Sequence, residues 1–174
     1  GIAEQSAVLD SDAVDLVFSE DGFSAPPASN AFSLKLGTAL GDGKRCAFVL
    51  TRTLESAPTA DMVKILSAEG RALGGQAEFW DLHIRDDDRL REALRTMRLF
   101  FIEHADLYLR EKDANDIAIL YSYRSDLWTS QAISPAKMAA ALLEDMNLTY
   151  DVLIAERDDH ALRLDRYAAL IVPN

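Results

Sequence analysis

Cysteine is almost absent: Cys46 is the only one in 174 residues. An internal disulfide and a cysteine-based zinc framework are therefore excluded. A lone thiol inside an apolar run reads as a small buried hydrophobe. Long hydrophobic runs are missing too. No stretch approaches the roughly 20 apolar residues that a membrane-crossing helix needs, and no leader pattern stands at the start; the expected compartment is the cytoplasm. Positive charge is scarce, with 18 Lys and Arg against 29 Asp and Glu and a formal net charge of −11. The Lys and Arg are scattered, whereas a nucleic acid or an anionic membrane needs a basic face, so neither is expected as a partner. There is no Gly-x-Gly-x-x-Gly, no Walker-type phosphate loop and no Gly-x-Ser-x-Gly elbow, which leaves dinucleotide, P-loop and elbow-hydrolase chemistry without support. The histidines, His83, His104 and His160, are too far apart to suggest a metal site. No metal and no cofactor is expected.

What remains is an ordinary globular composition, 49% hydrophobic and 27% charged, long enough for one domain or two small ones. The chain is organised around Asn115–Ser130. There Ile117 to Tyr121 is a short, unbroken apolar run, as in a strand buried on both faces of a parallel sheet. Further strands are predicted over 13–19, 45–51, 76–82, 150–155 and 167–172. Helices are predicted over 31–40, from Thr59 to Leu73, over 87–109, and from Ser134-Pro135 as N-cap and first helical residue. That last helix ends at Asn147, a residue suited to a left-handed cap. Strands alternating with helices imply parallel sheets with right-handed crossovers. The polar link Glu111 to Asn115 separates a first domain, 1–110, from a second, 111–174. The chain starts at Gly1 and stops directly after an apolar run at Ile171-Val172-Pro173-Asn174, so a fragment of a longer protein is expected.

In parallel sheets ligands sit at the carboxyl ends of the strands, which directs attention to the loops 19–24, 51–57, 78–84 and 122–130. Glu20, Glu55 and Glu78 fall at or just after predicted strand ends. Two carboxylates facing each other across a pocket serve as acid and nucleophile in glycoside hydrolysis, although loops are also where solvated charges normally sit. Arg52 is placed to orient a carboxylate or a hydroxyl. Trp80 and Trp128 follow strands, as sugar-stacking aromatics do, with packing as the competing role. His83 is an acid/base or substrate-binding candidate, and His104 lies on an apolar helix stripe. The hydroxyls of Ser122, Ser125, Thr129 and Ser130 offer a weaker phosphate-cradle reading, as in flavodoxin-like proteins.

Three segments carry a family resemblance: D-I-A-I-L-Y-S-Y at 116–123, E-D-M-N-L-T-Y-D-V-L at 144–153 and Y-A-A-L-I-V-P-N at 167–174. In this order they resemble the start of the trimerisation domain of family-42 β-galactosidases, a flavodoxin-like, class I glutamine amidotransferase-like domain that follows the catalytic barrel. Residues 13–110 resemble the last strands and helices of that barrel. V-D-L-V-F-S-E would be its sixth strand, K-R-C-A-F-V-L-T-R its seventh, and the segment ending A-E-F-W its eighth. The resemblance implies an α/β fold, the C-terminal part of a (β/α)8 barrel followed by a partial flavodoxin-like parallel-sheet domain. It also implies glycosidase activity on a carbohydrate substrate and a homo-oligomer, a trimer by analogy. In that family the nucleophilic Glu ends strand seven; here that place falls near Thr51-Arg52, with Glu55 a few residues on. The acid/base Glu belongs to a strand this chain lacks, so this fragment by itself is not expected to be active. The catalytic candidates are Glu20, Glu55 and Glu78, and the substrate-binding candidates Arg52, Trp80 and His83. The competing expectation is a non-catalytic association or carbohydrate-binding scaffold, with a flavodoxin-like phosphate or flavin binder third.

Overall fold

A computed structural model describes residues 17–22, 29–40, 46–51, 59–73, 76–79, 86–109, 114–129, 133–157 and 164–173. They fall into two compact units, one within Asp10–Lys112 and one within Asp113–Asn174. Both are mixed α/β, and each holds one three-stranded, wholly parallel sheet.

In the first unit the elements are β1 (Val17–Gly22), α1 (Ser29–Leu40), β2 (Cys46–Thr51), α2 (Ala60–Ala72), β3 (Gln76–Phe79), α3 (Asp88–Glu103) and α4 (Ala105–Leu109). The strands lie side by side in sequence order. Three departures from the sequence reading have physical causes. First, β1 does not stop at Ser19 but continues through Gly22, every residue paired with β2. Cross-strand pairing overrides the low strand propensity of Asp21 and Gly22. Second, α1 is buried almost all round rather than along one stripe, with Asn30, Phe32, Ser33, Leu34, Leu36 and Leu40 all inside. Lys35 is its only charged residue, and a helix without a charged face has nothing that demands water. Third, α2 buries Val63, Leu66, Ser67 and Gly70 and leaves Ile65 49% exposed. Its apolar face is thus rotated from the expected Met62–Ile65–Leu66–Leu73 stripe toward its small residues.

Thr59 caps α2, its hydroxyl accepting from the Met62 amide at 3.2 Å, and Asp87 caps α3 by accepting from the Arg89 amide at 2.8 Å. These caps satisfy amides that the first helical turn leaves without partners. The two helices pack on each other through Val63, Leu90 and Ala93, flanked by Ala60 and Leu94. The predicted stripe of α3 survives, since Leu90 is buried and Leu94, Met97 and Phe101 are half-buried. The single helix expected over 87–109 is broken, however. His104 takes φ −109° and ψ 25°, closing α3 before α4 begins.

The second unit comprises β4 (Ile117–Tyr121), α5 (Tyr123–Thr129), α6 (Ile133–Asp145), β5 (Asp151–Ile154), a short 3-10 turn (Leu164–Arg166) and β6 (Ala169–Ile171). β4 is central, with β5 on one side and β6 on the other. Its Ala118 and Ile119 are fully buried and Tyr121 nearly so, as the unbroken apolar run requires. α6 begins one residue before Ser134, so Ser134 and Pro135 lie inside its first turn. It buries Ala136, Ala140 and Leu143, while Leu142 and Met146 of the expected face are exposed. Its end is as read: Asn147 has φ 55°. Beside it the Leu148 amide donates to the Leu143 carbonyl at 2.8 Å and the Asn147 amide to that of Glu144 at 2.9 Å. These two bonds are the 6→1 and 5→2 pair that close a helix around a left-handed residue.

Candidate functional site

Parallel pairing in the first sheet sets Glu20 of β1 against Val49 of β2, and the same Val49 against Glu78 of β3. The two glutamates therefore occupy one row across the sheet, two strands apart, a backbone separation of roughly 10 Å at ~4.8 Å per strand. Of the four rows that cross all three strands, this one alone carries two carboxylates. The sequence placed Glu20 and Glu78 at strand exits, but both lie within strands. Arg52, Glu55, Trp80 and His83 lie outside the described residues.

At the carboxyl edge of the second sheet, the segment after β4 meets the segment after β5. The expected loop 122–130 is helix α5 from Tyr123 onward. Glu156 closes its start. One carboxylate oxygen accepts from the Ser122 hydroxyl at 2.5 Å and from the Arg124 amide at 3.2 Å, the other from the Tyr123 amide at 3.2 Å. The Ser122 hydroxyl accepts in turn from the Ser125 amide at 3.1 Å, and the Tyr121 hydroxyl donates to Asp126 at 3.0 Å. The Tyr123 hydroxyl, and to a lesser degree Glu156, holds the Arg124 guanidinium more firmly protonated than usual. An anion is favoured where helix amides converge, and here a carboxylate of the chain itself fills that role. The Tyr123 and Arg124 amides are thereby taken, and Ser130 of the expected phosphate cradle lies outside the described residues. Glu156 was missed in the sequence because its partners lie more than 30 residues earlier; the signal that could have found it was a carboxylate just past the end of an adjacent strand.

Trp128 sits on α5 with 89% of its surface exposed, so it is not a packing residue of its unit. His104 is half-buried, with its ring 4.6 Å from that of Phe100. Among the described residues no group of His, Cys, Asp and Glu could hold a metal ion, and no helix is long and apolar enough to cross a membrane. No protein-family model, curated protein or solved structure matches the chain.

Proposed function

We propose that this chain is the C-terminal part of a (β/α)8 barrel joined to the first half of a flavodoxin-like domain, within a glycoside-hydrolase-like protein. That protein cleaves a glycosidic bond with paired carboxylates. The observation that carries the reading is the Glu20–Val49–Glu78 row, which sets two glutamates at one register position of a parallel sheet whose strands follow one another in order. Consecutive parallel strands are how a barrel wall is built, and carboxyl pairs several ångströms apart flank the scissile bond in glycosidases. The β5-β4-β6 order supports the second half of the reading, because flavodoxin-like sheets begin with their first strand between the second and third. Arg52, Trp80 and His83 follow β2 and β3 in sequence and are assigned to sugar binding, with Glu55 as a further carboxylate. The test is turnover of a panel of chromogenic glycosides by the full-length protein and by its Glu20→Gln, Glu55→Gln and Glu78→Gln variants. Loss of at least a hundredfold in one or more variants is expected; undiminished turnover in all three sinks the assignment.

A second reading rests on a separate observation. Met138 and Leu142 on α6 and Met146 just past its end, at four-residue steps, are each more than 60% exposed. Such a stripe suits an association module that assembles a homo-oligomer whether or not the barrel is catalytic. Sedimentation of the full-length protein and of a Leu142→Glu variant decides it, and an unchanged assembly state rejects this face.

A further inference from the structure

Between α2 and α3 lies a cavity of about 410 Å³, within the ~300–1,000 Å³ range of small-molecule sites. Its walls are mainly apolar, from Leu94, Met97, Phe101 and Ile102, and two guanidinium residues, Arg71 and Arg98, stand among them. Arg71 is the unusual member. Its Nε is buried and makes no hydrogen bond, while its guanidinium carbon lies 5.7 Å from the ring centroid of Tyr108. A buried charged donor without an acceptor is costly to keep. The aromatic face answers the charge but does not accept that N–H. Ser67, also in the wall, donates its hydroxyl to the Val63 carbonyl at 2.7 Å, so the remaining donors of the cavity belong to the arginines.

We propose that this cavity binds an amphiphilic monocarboxylate, its apolar body against Met97, Phe101 and the neighbouring apolar walls and its carboxylate on Arg71 and Arg98. A planar carboxylate matches the guanidinium fork and supplies the acceptor that Arg71 Nε lacks. The apolar lining rejects a small, fully hydrated dianion, which would have to give up its water for few partners. The site involves none of the residues assigned to glycoside cleavage, so it stands or falls independently of that reading.

The experiment is calorimetric titration of the 174-residue chain with sodium decanoate below its micellar concentration, and with 1-decanol as the uncharged counterpart. Decanoate is expected to bind at least tenfold more tightly than decanol. Arg71→Met and Arg98→Met should each weaken decanoate at least tenfold while leaving decanol unchanged. Arg98 is exposed, so its variant carries the test even if Arg71→Met compromises folding, which thermal denaturation reports. Absence of decanoate binding, equal affinity for decanol, or undiminished binding by Arg98→Met overturns the proposal.

Discussion

Asn115 reaches across the second unit to Asp151: its Nδ2 donates to Asp151 Oδ1 at 2.6 Å and to the Tyr150 carbonyl at 3.1 Å. The other oxygen of Asp151 accepts from Arg166 at 2.8 Å and from the Tyr167 hydroxyl at 2.7 Å. One carboxylate thereby ties together the entries of all three strands, since Asn115 precedes β4, Asp151 opens β5, and Arg166 and Tyr167 precede β6. Strand register is at stake here, because parallel strands have no hairpin to set it.

Asn115 is buried, so its replacement by Ala removes the donor that Asp151 Oδ1 accepts from inside the protein. The expected loss is about 1–3 kcal/mol, read as a lower urea midpoint. Asn115→Asp should cost more, because it sets a second carboxylate against Asp151. A midpoint for Asn115→Ala equal to that of the parent chain would show that water replaces the amide at no cost.

Glu156 does for α5 what a side-chain cap does for a longer helix, from a distant place in the chain. Removing it with Glu156→Ala uncovers the Tyr123 and Arg124 amides and costs about 1 kcal/mol. Glu156→Gln retains one acceptor oxygen and should fall between the two. Hydrogen exchange at those amides is the direct measurement: faster exchange in Ala than in Gln, and in Gln than in the parent, is expected. Equal protection in all three would mean that the helix start does not depend on the carboxylate.

The sequence made the local devices legible and hid the distant ones. The β4 core, the helix starts at Thr59 and Asp87 and the left-handed Asn147 all rest on chemistry contained within a few residues. Helix α5 did not, because Tyr123–Thr129 carries Ser, Trp and Thr, only modest helix formers, and its cap comes from Glu156. The break at His104 has no sequence signal either, as no Gly or Pro interrupts 87–109. For the candidate site, the predicted strand exits pointed to these carboxylates, but only the pairing register shows Glu20 and Glu78 in one row across Val49. Register is a property of two strands together, and neither strand alone encodes it.

Acid should loosen the start of α3. Hydrogen bonds from the Arg89 side chain and then the Arg89 amide hold the Asp87 carboxyl below its usual value of 3.8. A carboxyl with a lowered folded-state value contributes stability that is fully present above its unfolded value. That contribution fades as pH falls through the lower folded one. The window therefore opens near pH 4 and extends downward, and neutral pH lies outside it. A carboxyl titration of Asp87 by NMR should give a midpoint below that of an unstructured Asp. Asp87→Asn should flatten the acid dependence of exchange at the Arg89 amide. An unshifted midpoint would mean that Arg89 is too mobile in solution to matter.

Asn147 offers the sharpest test of backbone reasoning, because its φ of 55° is tolerated by Gly, which has no Cβ, and by Asn, whose short polar side chain bonds locally, and is penalised in other residues. Asn147→Gly should hold stability level or raise it slightly. Asn147→Ala should cost about 1 kcal/mol and Asn147→Val more, through β-branching. The side chain is exposed, so no packing change confuses the series. The cap bonds from Leu148 and Asn147 to the Leu143 and Glu144 carbonyls depend on the same turn, and exchange at those two amides should rise in the order Gly, Ala, Val. Thermal midpoints that fail to follow this order would show that the turn relaxes out of the left-handed region when asked, and that α6 does not need it to stop.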